Sequence, residues 1–283
     1  MQSIAGPVQS VRDVSSDRLN SQVWELICAT QRVFVKLAPT PKFFGRETRA
    51  LREVAPSLEP GTVPLLLAAD PHQMALLLSP AAGRPAKSLP LTPADQCLMH
   101  RQAGSWLSRF HGGPGDLSAR DRRDAAAEFV HAVAGAEKHL ATSGNLISPQ
   151  QRRTVQWHVA ELGQIGPLPA GYVHGDFQES NWLVKTSPSG SVFGAVDLER
   201  ARPHAVVADV VHLACGSWLG RPDLEEAFWD GYGRVLTDAE KRALHCLSAL
   251  DAVSAIAWDV PTGDREIVDR GRAALARLEV QTA

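Results

Sequence analysis

Four cysteines in 283 residues, Cys28, Cys97, Cys215 and Cys246, are too few and too scattered to form a disulfide framework. No Cys-x-x-Cys pair occurs, so a structural zinc site is not expected and reduced thiols are. Charge of one sign is equally scarce. Lys+Arg is 29, Asp+Glu is 31 and the formal net charge is -2, which leaves no electrostatic footprint for nucleic acid or an anionic membrane. No apolar run is long enough to span a bilayer. The amino terminus, Met-Gln-Ser-Ile-Ala-Gly-Pro, lacks a basic segment followed by an apolar one. A soluble, cytoplasmic protein is the expectation. Internal repeats and long low-complexity segments are also missing. The remainder is ordinary globular composition, 44% hydrophobic and 21% charged, with room for one large or two small cores. Nothing in it specifies an oligomeric state.

The informative stretch runs from Tyr172 to Asn181. An apolar lead-in reaches His174-Gly175-Asp176-Phe177-Gln178-Glu179-Ser180-Asn181, and a second apolar run, Trp182-Leu183-Val184, leaves it. This pattern predicts strand, loop and strand. A further arm, Val192 to Val196, ends on Asp197 after a Pro188-Ser189-Gly190 turn. Asp176, Asn181 and Asp197 are thereby expected to converge at one end of a small hairpin. Two carboxylates and an amide oxygen are hard ligands, suited to Mg²⁺ and a phosphate-bearing substrate rather than to zinc.

His-Gly-Asp-x-x-x-x-Asn, followed by an apolar strand ending in Asp, resembles the catalytic loop and metal-binding aspartate of the aminoglycoside phosphotransferase and choline kinase-like small-molecule kinases. The resemblance implies an α+β, bilobal, protein-kinase-like fold. An N-terminal antiparallel sheet lobe with one helix, residues 1–79, would bind nucleotide. A larger, mainly helical C-terminal lobe, residues 80–283, would carry catalysis and the acceptor. It implies that Asp176 accepts the proton of the attacking hydroxyl, that Asn181 and Asp197 hold Mg²⁺, and that His174 buttresses the loop. The second motif reads Asp197-Leu198-Glu199 and lacks the Phe-Gly of protein kinases. No Ala-Pro-Glu segment follows it, so a protein substrate is not expected.

Earlier in the chain, Val8–Val14, Val23–Cys28 and Val33–Leu37 read as strands, and Val63–Ala69 and Met74–Leu78 as two more around Asp70-Pro71-His72-Gln73. The loop from Ser15 to Ser21 contains no glycine. In the family this loop covers the nucleotide phosphates. Ser16, Asn20 or Ser21 would then donate side-chain hydrogen bonds in place of backbone amides. Lys36 lies within the apolar strand Val-Phe-Val-Lys-Leu and is the candidate for the α/β phosphates. Glu47 is its natural partner on the next helix, with Glu53 fitting nearly as well. Ser79-Pro80-Ala81-Ala82-Gly83 breaks the pattern and marks the lobe boundary, and the peptide groups of Ser79 and Ala81 are the expected adenine contacts.

Beyond residue 80 the chain reads as mostly helical. Thr92 with Asp95, Ser148 with Gln151 and Thr237 with Glu240 are helix starts. Residues 120–140 and 148–163 are expected to be helices. Met99, Ala103, Trp106 and Phe110 recur at helical spacing, and His111 is expected to be structural. Asp209, amid apolar neighbours, needs a partner if buried; by resemblance it fixes the catalytic loop. Asp223, Glu225, Glu226 and Asp230 form an acidic group. It is read either as a favourable helix start or as a receiver for a polycationic substrate. Glu199, Glu226 and Asp230 are the candidate acceptor contacts. The resemblance implies ATP or GTP as donor, Mg²⁺ as cofactor and a small-molecule hydroxyl as acceptor. An antibiotic-inactivating kinase, acting on an aminoglycoside or another hydroxyl-rich compound such as a nucleoside, is the leading expectation. A metabolic kinase of the choline, homoserine or sugar type is the alternative, and a non-catalytic kinase-like binding module is a third.

Overall fold

The computed structural model describes residues 5–15, 21–187, 190–262 and 265–282. The chain forms two compact units, Met1–Asp116 with His174–Arg202, and Leu117–Val173 with Pro203–Ala283. The segment that carries the His174–Asn181 motif therefore clusters with the N-terminal sheet.

The first unit is built on a five-stranded antiparallel sheet. Its strands are β1 (Val8–Asp13), β2 (Gln22–Cys28), β3 (Arg32–Leu37), β4 (Leu66–Asp70) and β5 (Ala75–Leu78), in the order β1-β2-β3-β5-β4. The fourth strand starts later than the apolar run suggests, because Pro64 has no N–H to give a ladder. Alternation sends Leu26, Cys28, Val33 and Val35 to one face, where they pack with Leu77 and Ala5. Lys36 therefore points to the other face. Helix α1 (Pro41–Glu53) packs there, against β4 and β5. Thr40 caps it by accepting from the Phe43 amide, and Pro41 occupies its first turn. The buried stripe Glu47, Thr48, Ala50 and Leu51 is its sheet-facing side.

After a short strand β6 (Arg84–Pro85), helix α2 (Pro93–Gly112) opens with a reciprocal Thr92–Asp95 capping box. It buries Met99, His100, Ala103, Trp106, Leu107, Phe110 and His111. The hairpin β8 (Trp182–Ser187) and β9 (Gly190–Ala195) runs beside β6 and pairs Trp182 with Ala195. Trp106, Phe110, Phe177, Trp182 and Phe193 form an aromatic layer under the catalytic loop, with Trp106 stacked on Phe177 at 5.8 Å. Each ring so buried contributes about 1.5–3 kcal/mol, enough to hold the polar loop above it in one shape.

The second unit is helical, apart from the pair β7 (Ala170–Val173) and β10 (Arg202–Ala205). Strand β7 thus pairs with β10 and not, across the loop, with β8. The helices are α3 (Ala119–Ser143), α4 (Pro149–Leu162), α5 (Val211–Ala214), α6 (Pro222–Tyr232), α7 (Asp238–Thr262) and α8 (Arg265–Thr282). The expected capping boxes form at Ser148–Gln151 and Thr237–Glu240. Among the described residues no helix is long and apolar enough to cross a membrane.

Candidate active site

The site is assembled where β3, α1 and the two loops around the β8–β9 hairpin meet within the first unit. Lys36 is 5% exposed and Glu47 2% exposed. The Lys36 amine lies 2.8 Å from Glu47 Oε2, 2.6 Å from Asp197 Oδ1 and 3.0 Å from Glu199 Oε2. Glu47 is therefore the partner on α1. Glu53 pairs with Arg49 on the same helix. Burial works against the charge on Lys36, but Glu47, Asp197 and Glu199 outweigh it and hold the amine protonated well above its ordinary range. Burial pushes the Glu47 carboxyl up to about 7; Lys36 opposes that rise, while the neighbouring Asp197 and Glu199 charges add to it.

The catalytic loop is tied in the same way, residue by residue. The His174 ring is fully buried. Its Nδ1 accepts from the Asp176 amide at 3.3 Å, so its Nε2 carries the proton and donates to the Val196 carbonyl at 3.1 Å. One ring thereby joins the backbone at Asp176 to the backbone beside Asp197. The Asn181 amide nitrogen donates to the Asp176 carbonyl at 2.9 Å and to its Oδ2 at 3.1 Å. Gln178 Nε2 donates to Asp176 Oδ1 at 2.8 Å. The Val196 amide donates to the Asn181 carbonyl, which carries the β8–β9 pairing one step beyond the hairpin and sets Asn181 near Asp197.

Two backbone features mark the site as built under constraint. Gly175 has φ +80°, and a Cβ there would lie 2.5 Å from the Arg200 carbonyl oxygen. Asp197 has φ 71°, a positive value that a side chain opposes.

The donor set suits a divalent cation. Carboxylate oxygens of Glu47, Asp197 and Glu199 lie within 4.8 Å of one another. One ammonium stands against these three acids, which leaves an anionic excess. The nitrogen of Asn181 is committed to Asp176, so its amide oxygen is the atom left for a ligand.

Other expected site residues fall elsewhere. Glu199, grouped in the sequence with the acceptor contacts, is instead 4% exposed and bound to Lys36. Glu226 and Asp230 are exposed on α6 in the second unit. Their neighbour Asp223 pairs with Arg221, as a helix start would have it. Asp209 is 2% exposed in that unit. Ser79 cannot offer its amide to a base, because the ladder extends past β5 and its N–H donates to the Leu65 carbonyl at 2.9 Å. The Ser79 carbonyl and the peptide of Ala81 are the groups left for that role. Asn20 and Ser16 lie outside the described residues. The sequence did not single out Gln178 as an anchor of Asp176, nor the hydrogen bond from the Ser21 hydroxyl to Glu199 Oε2 at 2.6 Å. A carboxamide two residues after the motif aspartate was the available signal for the first.

Comparison with known proteins gives the family and the fold. The model of the phosphotransferase enzyme family (APH) matches residues 10–246. No curated protein matches the chain significantly. The apoenzyme of macrolide 2'-phosphotransferase MphH from Brachybacterium faecium is similar, with TM-score 0.62 at 17% identity, over 97% of this chain and 95% of that one. The GDP and kanamycin complex of APH(2")-IIia gives 0.68 at 14%, over 98% and 95%. A thermostable mutant of aminoglycoside phosphotransferase APH(4)-Ia, in ternary complex with ADP and hygromycin B, gives 0.65 at 12%, over 100% and 97%. These likenesses carry the fold, which is protein-kinase-like as the motifs imply.

Proposed function

Because the chain belongs to the phosphotransferase enzyme family and is a kinase-type small-molecule phosphotransferase, we propose that it inactivates a hydroxyl-rich antibiotic, an aminoglycoside or a similar compound such as a nucleoside, by moving the γ-phosphate of ATP or GTP to a hydroxyl. The observation that carries the chemistry is the Lys36–Glu47–Asp197–Glu199 cluster, buried but for Asp197 at its edge and built into the same unit as Asp176 held by Asn181 and Gln178. The antibiotic acceptor is supported by the company the fold keeps: similar structures hold kanamycin, streptomycin and hygromycin B.

In this reading residues 1–79 hold the nucleotide and residues 80–283 carry catalysis and the acceptor. Lys36 places a point charge on the α/β phosphates, with Glu47 fixing its direction. Asn181 and Asp197 hold Mg²⁺, which when bound neutralises phosphate charge. Asp176 orients the acceptor hydroxyl and takes its proton late, its carboxylate plane set by the two amide donors. His174 keeps the Asp176 and Asp197 backbones in register. Ser79 and Ala81 contact the base through their remaining peptide groups. A cytoplasmic setting supplies the triphosphate.

The test is a panel of antibiotics and metabolites incubated with the protein, Mg²⁺ and ATP or GTP, read by mass spectrometry for one added phosphate. Phosphorylation of an antibiotic, lost about a thousandfold in Asp176→Ala and Asp197→Ala while both variants stay folded, is the expected result. Near-normal turnover in either variant rejects the site. A metabolite accepted in place of every antibiotic makes the protein a metabolic kinase.

A further inference from the structure

Strands β2 and β3 pair with Val23 opposite Lys36 and Gln22 opposite Leu37. Side chains alternate along a strand, so Ser21, two residues before Val23, projects from the same sheet face as Lys36. Ser21 and Glu199 are each 4% exposed. The Ser21 hydroxyl donates to Glu199 Oε2 at 2.6 Å, and that same oxygen lies 3.0 Å from the Lys36 amine. One carboxylate oxygen therefore receives an alcohol and an ammonium, and its two lone pairs are both used. Lys36 sits on β3 and Ser21 just ahead of the neighbouring β2, whereas the acceptor is 178 residues from Ser21.

Lysine is a compact charge on a flexible four-carbon stem, so its aim depends on what surrounds the amine. Glu47 holds it from α1 and Asp197 from the loop after β9. Glu199 is the third carboxylate on the amine, at 3.0 Å. The carboxylate of Glu199 is oriented by a hydrogen bond from a different strand than the one that carries Lys36.

We propose that Ser21 and Glu199 are positioning residues for Lys36: the serine hydroxyl fixes the glutamate, and the glutamate aims the lysine amine at the nucleotide's phosphates. This rests on the nucleotide role given to Lys36 above. Ser21 is then not a phosphate donor itself, since its hydroxyl hydrogen is spent on Glu199.

Calorimetric binding of ADP and GDP, and of adenosine and guanosine, to the full chain with Mg²⁺ tests this. Wild type is compared with Ser21→Ala, Glu199→Ala and the double variant. Ser21→Ala is expected to weaken the preferred diphosphate about tenfold, the worth of one hydrogen bond to a charged group. The matching nucleoside has no phosphate for Lys36 to touch and is expected to bind as to wild type. Because Ser21 acts through Glu199, the double variant is expected to bind no worse than Glu199→Ala alone. Ser21→Cys keeps the volume but not the strong donor, and is expected to behave as Ser21→Ala if the alanine variant folds poorly. Unchanged diphosphate binding in the serine variants, equal losses for diphosphate and nucleoside, or additive losses in the double variant overturn the proposal. Wild type that binds neither diphosphate overturns the nucleotide reading and the positioning role with it.

Discussion

Glu47→Gln exposes how much stability the site gives up to keep its charges together. The carboxyl of Glu47 is raised from 4.5 to about 7, first by burial. Its folded pKa lies above its unfolded one, so the folded chain holds the extra proton between these values. The contribution of Glu47 to stability is thus complete below pH 4.5 and is lost as pH rises through about 7. The gap between 4.5 and about 7, at about 1.4 kcal/mol per pH unit, gives a loss of about 3 kcal/mol. Glutamine is neutral throughout, while Lys36 keeps Asp197 and Glu199 as partners. The assay is urea unfolding of the nucleotide-free, chelator-treated protein at a series of pH values, for wild type and variant. Subtracting the variant's unfolding free energy from that of wild type cancels the titrating groups that do not touch residue 47 and leaves Glu47 with its coupled neighbours. That difference is expected to fall by about 3 kcal/mol across the window, with Glu47→Gln the more stable protein on the alkaline side. A difference that stays flat with pH, or rises, refutes the claim that Glu47 is buried among like charges.

Two further outcomes follow from the same coordinates. Gly175→Ala forces a Cβ to within 2.5 Å of the Arg200 carbonyl at φ +80°; a cost of about 2 kcal/mol or more, seen as a lowered melting temperature together with lost phosphotransfer, is expected. His158 is 3% exposed, and among the described residues neither ring nitrogen has a hydrogen-bond partner. Burial, then the nearby His245 charge, lowers it from 6.5 to about 4, so its share of stability is present above pH 6.5 and is lost as pH falls through 4. His158→Leu is expected to flatten the acid limb of the unfolding curve by about 3 kcal/mol, and an unchanged acid limb would contradict the burial of a neutral imidazole.

The part of the site that was legible in the sequence is the part that is short-range. His174, Asp176 and Asn181 lie within eight residues, and Asp197 follows one hairpin later, so strand geometry alone brings them together. Lys36 and Glu47 were readable because a charge inside an apolar strand demands a partner, and α1 is the next element along. The bond from Glu199 to Lys36 was not legible, because it depends on which way one loop turns after β9, and no local periodicity encodes that. The bond from Ser21 to Glu199 spans nearly two thirds of the chain and depends on tertiary packing. The pairing of β7 with β10 was hidden for the same reason, since hydrophobic alternation marks a strand without naming its mate. The helix ends, by contrast, were plain at Thr92, Ser148 and Thr237, because a cap is chemistry over four residues.

The positive φ at Asp197 has a bearing on any effort to harden this enzyme. Glycine would settle into that dihedral at ease, whereas a β-carbon resists it by about 1 kcal/mol or more. That relief would come at the loss of the carboxylate that meets the buried Lys36 amine at 2.6 Å, so the strain and the ion pair are set against each other at one residue. Thermal engineering should leave residue 197 untouched and look for its gains among the surface helices of the second unit.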